Sequence, residues 1–353
     1  MSTVITPASL AQLTEAVRAH PRVLAVGAGT KPRLSAVGDD VVRLSTTKLA
    51  GITEYEPDEY TFTALAGTPV REIAAALAAK GQYLPFDPFL LEAGATLGGT
   101  VAAGLSGPGR FRFGGLRDFI LGVRFIDGLG RELRLGGKVV KNAAGFDLPK
   151  FFVGSLGRFG VLTEFTFKVF PRAAATLTLR LPVPDATAAL AIFTAAGLGR
   201  WEADAVDLLP SSDAVALRLA GPAETLVGLA QEILTRFPGE MLGPTAADTL
   251  WQTLREFRWI SPDDTLLKVA LTPAEVPALA ANVRVAGGRA HVSSGGNVAY
   301  LALPPAADPS LLGWPALALR GSTPLWINPV TAPAIAAAVK NALDPQNRFP
   351  ALA

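Results

Sequence analysis

Residues 94–118 read "GATLGGTVAAGLSGPGRFRFGGLRD" and place Thr96, Gly98, Gly99, Gly104, Ser106, Gly107, Gly109, Gly114 and Gly115 in one short run. Glycine at this density weakens both helix and strand interiors, so the run predicts irregular backbone. Such backbone presents N–H groups and small hydroxyls to an extended polar ligand. Two further small-residue segments flank it. "VLAVGAGTKPRL" (23–34) ends an apolar strand in Gly27-Ala28-Gly29-Thr30-Lys31, and "KVVKNAAGFDLPKFFVGSLGRFGVLTEFTFK" (138–168) sets Gly157 and Gly160 ahead of alternating apolar residues. Glycine beside a strand marks a place where a ligand or another backbone comes too near for a Cβ.

Neither common nucleotide fingerprint fits. After Gly27-x-Gly29 the third glycine position is Pro32, which lacks an N–H, and "RLSAVGDDVVRLST" has no helical periodicity, so this is not a dinucleotide-fold turn. A Walker loop fails as well, because Glu132 stands where the earlier glycine belongs and Val139 where the metal-binding hydroxyl belongs. A tight Gly-Ala-Gly-Thr turn still forms an anion-holding concavity without a helix.

The bulk composition narrows the classes. With 353 residues the chain is long for one domain, and Lys+Arg 32 against Asp+Glu 30 gives no electrostatic footprint for nucleic acid. There are no cysteines, which removes disulfides, thiolate nucleophiles and thiolate-held clusters, and His20 and His291 are too few for a histidine-rich metal site. The opening "MSTVITPASLAQLTEAV" lacks a basic-then-apolar leader, and Thr6-Pro7 reads as an N-cap and first helical turn. The longest apolar run, "ATAALAIFTAAGLG" (186–199), is too short to span a bilayer, so the reading is a soluble, cytoplasmic protein.

Glycines concentrate before residue 172, whereas Trp201, Trp251, Trp259, Trp314 and Trp326 all follow it. That shift predicts two domains, a glycine-rich cofactor domain over 1–171 and a second over 172–320; the end of the chain, 321–353, reads as a helix and a proline-punctuated tail and is expected to pack back on the first domain. In the first domain "PASLAQLTEAVRAH" and "REIAAALAAKG" have helical spacing, and "DFILGVRFIDGLGRELRL" is a hairpin signal. The second domain alternates strands and helices in two βαβ-like halves, which fits an antiparallel sheet with helices on one face. The fold class is α+β.

In this order the segments "VGAGTK", "GATLGGTVAAGLSG", "RFGGLRDFILGVRFIDGLG" and "KVVKNAAGFDLPKFFVGSLGRFGVLTEFTFKVFP" resemble the FAD-binding (PCMH-type) domain of the vanillyl-alcohol oxidase and p-cresol methylhydroxylase family. Within that family "GAGTK", "VVKNAAGFD" and the terminal "LDPQNRF" look most like the small FAD-binding subunits of bacterial glycolate oxidases. The resemblance covers residues 20–171 well and the second domain less well. It implies a PCMH-type two-subdomain FAD domain followed by a cap. Gly27, Ala28, Gly29, Thr30 and Lys31 would wrap the pyrophosphate; Thr96, Leu97, Gly98, Gly99, Gly104, Ser106 and Gly114 would line the rest of the cofactor. Asn142, with Lys141, would reach the flavin pyrimidine edge, and Gly157, Gly160, Val161 and Leu162 would pass under the ring system. Relatives with covalent flavin link it through histidine or cysteine; this chain has no cysteine and no histidine between His20 and His291, so the FAD is expected to be noncovalent.

The implied activity is oxidation of glycolate or another 2-hydroxy acid to the 2-oxo acid, with a second FAD subunit and an iron–sulfur subunit as partners. That chemistry asks for a base for the hydroxyl and a cation for the carboxylate. His291 is the candidate base, although a lone histidine on a short strand is also an ordinary structural residue. Lys268 and Arg258 are the candidate carboxylate binders; an edge-strand gatekeeper and a surface cation account for them equally. Asp147 fits an N-cap for "LPKFF", and His20 ends a helix. The scarcity of acid–base groups leaves two other readings open: a flavin relay or assembly subunit beside a catalytic partner, and a stand-alone FAD oxidoreductase of the same fold.

Overall fold

The structure is a computed structural model and describes residues 3–137, 148–331 and 333–352. The chain divides into two compact units. The first is Met1–Leu105, Gly115–Pro171 and Val330–Ala353; the second is Ser106–Gly114 and Arg172–Pro329.

The first unit begins with β1 (Val4–Ile5) and α1 (Leu10–Ala19). Ser9, not Thr6, is the N-cap: its hydroxyl accepts from the Gln12 N–H at 3.2 Å, while the Gln12 side chain accepts from the Ala8 N–H at 2.8 Å. Pro7 stays outside the helix because starting at Leu10 turns Leu13 and Val17 into the core, where both are fully buried. β2 (Val23–Val26) and β3 (Val42–Ser45) pair in parallel, with β1 on the far side of β3. No α-helix joins β2 to β3; a single 3₁₀ turn, Pro32–Ser35, lies between them.

A second sheet of the same unit contains β4 (Ile52–Glu56) and β5 (Thr61–Leu65). After α2 (Val70–Ala78) and β6 (Gln82–Tyr83) comes α3 (Leu97–Ala103). This helix overturns the expectation that 94–118 is wholly irregular. Thr96 caps it, its hydroxyl accepting from the Gly99 N–H at 3.3 Å, and Gly104 ends it in the left-handed conformation. The propensity lost to two internal glycines is offset by close packing: a Cβ on Gly98 would lie 2.9 Å from the Ala66 Cβ. α4 (Arg110–Phe113) falls in the second unit.

β7 (Ile120–Ile126) and β8 (Glu132–Gly136) form the expected hairpin. Buried Asp127 organises its turn, accepting from the N–H groups of Leu129 and Arg131 at 2.9 Å each and from Arg131 Nε at 2.7 Å. β9 (Val161–Lys168) lies at the middle of the five-stranded antiparallel sheet β4-β5-β9-β7-β8. Its Phe167 stacks on Phe62 with centroids 5.8 Å apart. β10 (Phe170–Pro171) pairs with β6.

The second unit is a nine-stranded sheet in the order β14-β11-β13-β12-β16-β17-β15-β18-β19, with antiparallel pairings throughout. In chain order its elements are β11 (Ala175–Pro182), α5 (Ala186–Leu198), β12 (Ala205–Leu208), β13 (Ala214–Gly221), α6 (Ala223–Arg236), β14 (Glu240–Leu242) and α7 (Pro244–Arg255). They continue with β15 (Thr265–Ala270), α8 (Val276–Val285), β16 (Arg289–Ser293), β17 (Val298–Leu303), β18 (Ala316–Arg320) and β19 (Trp326–Ile327). The alanine-rich apolar run is α5, a core helix; among the described residues no helix is long and apolar enough to cross a membrane.

Helices cover both faces of this sheet rather than one. Val215, Leu217 and Leu219 share a core with α5, α6 and α8, while Ala214 and Ala216 pack with Trp251 and Leu254 of α7. β13 is apolar at successive positions, so its second face also needs a cover. Trp251 fixes that cover by donating from Nε1 to Thr178 Oγ1 at 2.9 Å.

α9 (Ala334–Leu343) and the tail after it belong to the first unit. The Gly128 N–H donates to the Leu343 carbonyl at 2.8 Å, and a Cβ on Gly128 would sit 2.3 Å from Asp344 Oδ1. Phe349 enters the core of Leu13, Val17, Val23, Leu44, Ile126 and Val161.

The Asp127 turn yields a stability test. Asp127→Ala strands several donors that the buried carboxylate now satisfies, so urea unfolding should show a loss of about 2–4 kcal/mol. A loss under about 0.5 kcal/mol, the range of surface substitutions, would mean that the turn holds without it.

Candidate functional site: a cleft in the first unit and a polar row in the second

The exits of β2 and the start of β9 face a cleft in the first unit with about 730 Å³ of atom-free space, including open solvent. Gly27 to Lys31 form one wall, Thr96, Gly98 and Gly99 at the start of α3 a second, and Gly157, Gly160 and Leu162 a third. The geometry thus brings together most of the residues that the sequence singled out for the cofactor.

The first wall has the right chemistry for a polyanion. Among the described residues, none of the N–H groups of Gly27, Ala28, Gly29, Thr30 and Lys31 has an acceptor in the protein. Consecutive unpartnered N–H groups make a nest for phosphate oxygens. Gly29, with φ +72° and nothing within 4 Å of a would-be Cβ, supplies the left-handed residue that turns the chain there. Lys31 is 8% exposed; its Nζ donates to Thr30 Oγ1 at 3.0 Å and has no carboxylate partner among the described residues. Burial pushes its ammonium down to about 8. A buried cation without a counter-ion is costly unless an anion arrives.

The other walls behave differently. The N–H groups of Leu97, Gly98 and Gly99 already donate to Thr68 O, Ala66 O and Thr96 Oγ1, so this wall offers surface rather than free donors. Gly27 lies against it: a Cβ there would be 2.3 Å from Thr96 Oγ1. A Cβ on Gly160 would meet Phe125 Cδ2 at 2.8 Å and the Ile126 carbonyl at 2.9 Å. The need for glycine at 160 therefore comes from β7, not only from a ligand.

Leu97 and Val161 are buried beside the cleft without lining it, and Gly104 caps α3, where a Cβ would lie 2.9 Å from Gly154 Cα. Ser106 and Gly114 fall in the second unit, and Asn142, Lys141 and Asp147 lie outside the described residues. Sequence reasoning missed Leu24, Ala25, Val26, Thr46, Ala66, Ala102 and Leu156, which also line the cleft. Their adjacency to the glycine segments was the available signal, and apolar residues on strands gave no reason to prefer it over core packing.

In the second unit, strand register sets a row of polar side chains on one sheet face. Lys268 of β15 is opposite Tyr300 of β17, which is opposite His291 of β16. β15 is an interior strand between β17 and β18, so Lys268 is not an edge gatekeeper. Burial and the Arg110 guanidinium bring its ammonium down to about 8, and burial pushes the Tyr300 phenol above its ordinary range. The Tyr300 hydroxyl donates to the Ser106 carbonyl at 3.2 Å. His291 is 0% exposed, with Nε2 2.8 Å from Asp207 Oδ2. Asp207 Oδ1 also accepts from Ser293 Oγ at 2.8 Å and the Ser294 N–H at 3.0 Å. A general base needs hydrogen-bond reach to its substrate; in this fully enclosed ring Asp207 holds Nε2 and Nδ1 is buried, so neither nitrogen is exposed. Arg258 is exposed after α7 and donates to Gln252 Oε1 at 3.1 Å. Among the described residues there is no group of three or more His, Cys, Asp or Glu able to hold a metal.

Comparison with known proteins agrees with the cleft. Residues 1–136 match the family model described as an FAD binding domain. The chain is 40% identical over 237 residues to glycolate oxidase subunit GlcE of Escherichia coli (strain K12), covering 64% of this chain and 62% of that protein. It is 30% identical over 141 residues to the D-lactate dehydrogenase of Anaerostipes hadrus, covering 40% of this chain and 29% of that one. The aligned part thus spans under two thirds of the first relative and less of the second. A solved structure of alkyldihydroxyacetonephosphate synthase superposes with a TM-score of 0.70 at 16% identity over 98% of this chain and 75% of that one, which is a likeness of fold. Residues 1–136 therefore carry an FAD binding domain, and the chain is similar to glycolate oxidase subunit GlcE and, more distantly, to a D-lactate dehydrogenase.

Proposed function

We propose that this chain is the FAD-holding subunit of a complex that oxidises glycolate or another small 2-hydroxy acid to the 2-oxo acid. The observation that carries the reading is the first cleft wall, where unpartnered N–H groups from Gly27 to Lys31 adjoin the uncompensated Lys31 ammonium. This wall would hold the pyrophosphate, and Gly157, Gly160 and Leu162 would take the flavin end. Bound FAD supplies the acceptor for the two electrons that leave the substrate's α-carbon. The binding is noncovalent: the chain has no cysteine, His20 caps the end of α1 away from the cleft lining, and His291 is engaged by Asp207.

The enclosure of His291 favours a division of labour in which a partner removes the hydroxyl proton while this chain holds and relays through its flavin. Lys268 beside Arg110 remains a cationic place suited to a carboxylate. The partners are a second FAD subunit and an iron–sulfur subunit, since this chain has no thiolates for a cluster of its own.

Lys31→Met should weaken FAD binding to the apoprotein by about 10- to 100-fold in a flavin-fluorescence titration, the loss of a charge-assisted buried contact. Because burial lowers the Lys31 ammonium to about 8 and a bound anion raises it again, wild-type affinity is full below pH 8 and declines as pH rises through it. The Met variant lacks that step; equal affinity in the two proteins at pH 7 would remove the pyrophosphate from this wall.

Acid precipitation of the holoprotein should release all the yellow colour to the supernatant, and flavin left in the pellet would establish a covalent link. Glycolate oxidation should require co-expression of the partner chains; full turnover by an isolated monomer with oxygen as acceptor would favour the self-sufficient oxidase.

A further inference from the structure

The C-terminal segment holds two walls of the cleft through a buried side-chain pair and the backbone around it rather than through a strand of its own. Lys340, the one charged residue of α9, points inward and is 5% exposed. Its Nζ donates to Asp344 Oδ2 at 2.5 Å, to the Arg158 carbonyl at 2.8 Å and to the Phe349 carbonyl at 3.0 Å. Three donors meet three acceptors, so the ammonium is fully used. Asp344, 1% exposed, also accepts from the Arg348 N–H at 2.8 Å and the Phe349 N–H at 2.9 Å.

From this buried pair one branch reaches each wall. Arg158 follows cleft-lining Gly157 and precedes Gly160 by two residues, and its own side chain donates from Nε to the Ala351 carbonyl at 2.7 Å and from Nη1 to the Leu156 carbonyl at 3.3 Å. On the other side the Val23 N–H donates to the Arg348 carbonyl at 2.8 Å, where β2 begins. The Arg348 guanidinium donates from Nη1 to the carbonyls of Val17 at 3.1 Å and His20 at 2.5 Å, at the end of α1. An apolar side chain at 340 would strand two backbone carbonyls and a carboxylate in the interior.

We propose that Lys340 and Asp344 are positioning residues for the cofactor cleft, a buried clasp that fixes the 156–160 wall relative to the β2 wall before the ligand arrives. The assignment rests on the reading of this cleft as the FAD site. Pre-organisation of this kind lowers the ordering cost of binding.

The test uses the full chain as apoprotein. Lys340→Met should raise the FAD dissociation constant about tenfold or more, and without any ligand it should speed hydrogen–deuterium exchange at residues 156–160. The matched control is Phe86→Leu, which trims a fully buried ring of the same unit that packs on Phe119 and Phe167 outside the cleft lining. At comparable loss of melting temperature this control should keep wild-type FAD affinity. Equal weakening in both variants, or unchanged affinity and exchange in Lys340→Met, overturns the proposal. Should Lys340→Met fail to fold, Arg348→Ala removes the guanidinium's bonds to the Val17 and His20 carbonyls at the end of α1, which leads into β2, and leaves the backbone carbonyl that Val23 uses; it should speed exchange at the end of α1 and the start of β2 and weaken FAD, and wild-type values for both overturn the clasp. If Lys31→Met leaves FAD affinity intact, the cleft reading fails instead, while ligand-free exchange still decides the clasp.

Discussion

Backbone N–H groups that leave a sheet without acceptors must find them in solvent or in a ligand. At the exit of β2 that requirement falls on residues 27–31 together, and the buried Lys31 ammonium adds to it. Much of the first unit serves to keep this strand end open. Thr96 spends its hydroxyl on capping α3 rather than on the loop, and Gly27 leaves room for that hydroxyl. The N–H groups of Leu97 and Gly98 that begin α3 are taken by the Thr68 and Ala66 carbonyls, and among the described residues no protein acceptor fills the nest.

The glycines were legible as a site, though for a reason only partly correct. They were read as places where a ligand excludes a Cβ. At Gly27, Gly98 and Gly160 the nearest obstacle is protein: Thr96, Ala66 and Phe125 with Ile126. Thin walls around a cofactor require elements to approach each other as closely as they approach the ligand, and sequence does not distinguish the two demands. The same density concealed α3. Summed propensity argues against a helix at 97–103, yet Thr96 and Gly104 are good cap residues, and contact with β5 and its extension at Ala66 outweighs the propensity term. Ser9 illustrates the converse: Thr6 before Pro7 reads as a good cap, and burial of Leu13 and Val17 moves the helix start to Ser9.

In the second unit, alternation identified the strands but not what covers them. β13 carries branched residues toward one layer of helices and alanines toward α7, and an alanine is compatible with solvent or with a close-packed helix. Register was equally invisible: Lys268, Tyr300 and His291 are far apart in sequence and become neighbours only through the β15-β17-β16 pairings. Residue type alone pointed to His291 as a base, because imidazole titrates near neutrality. Its use depends on exposure, and a strand residue of alternating pattern can face either side.

The polar row therefore separates two tasks that a hydroxy-acid oxidase must combine. Holding a carboxylate needs a cation, and an anion would relieve the mutual repulsion of Lys268 and Arg110. Moving a proton needs a base with an accessible lone pair, and the only imidazole on this face directs Nε2 to Asp207 while Nδ1 is buried without a partner among the described residues. Opening that ring to substrate would expose the buried Asp207 cluster with Ser293 and Ser294, whose satisfied hydrogen bonds hold β16 to β12. The arrangement stabilises the sheet at the expense of acid–base competence, and that is the physical ground of the proposed division of labour.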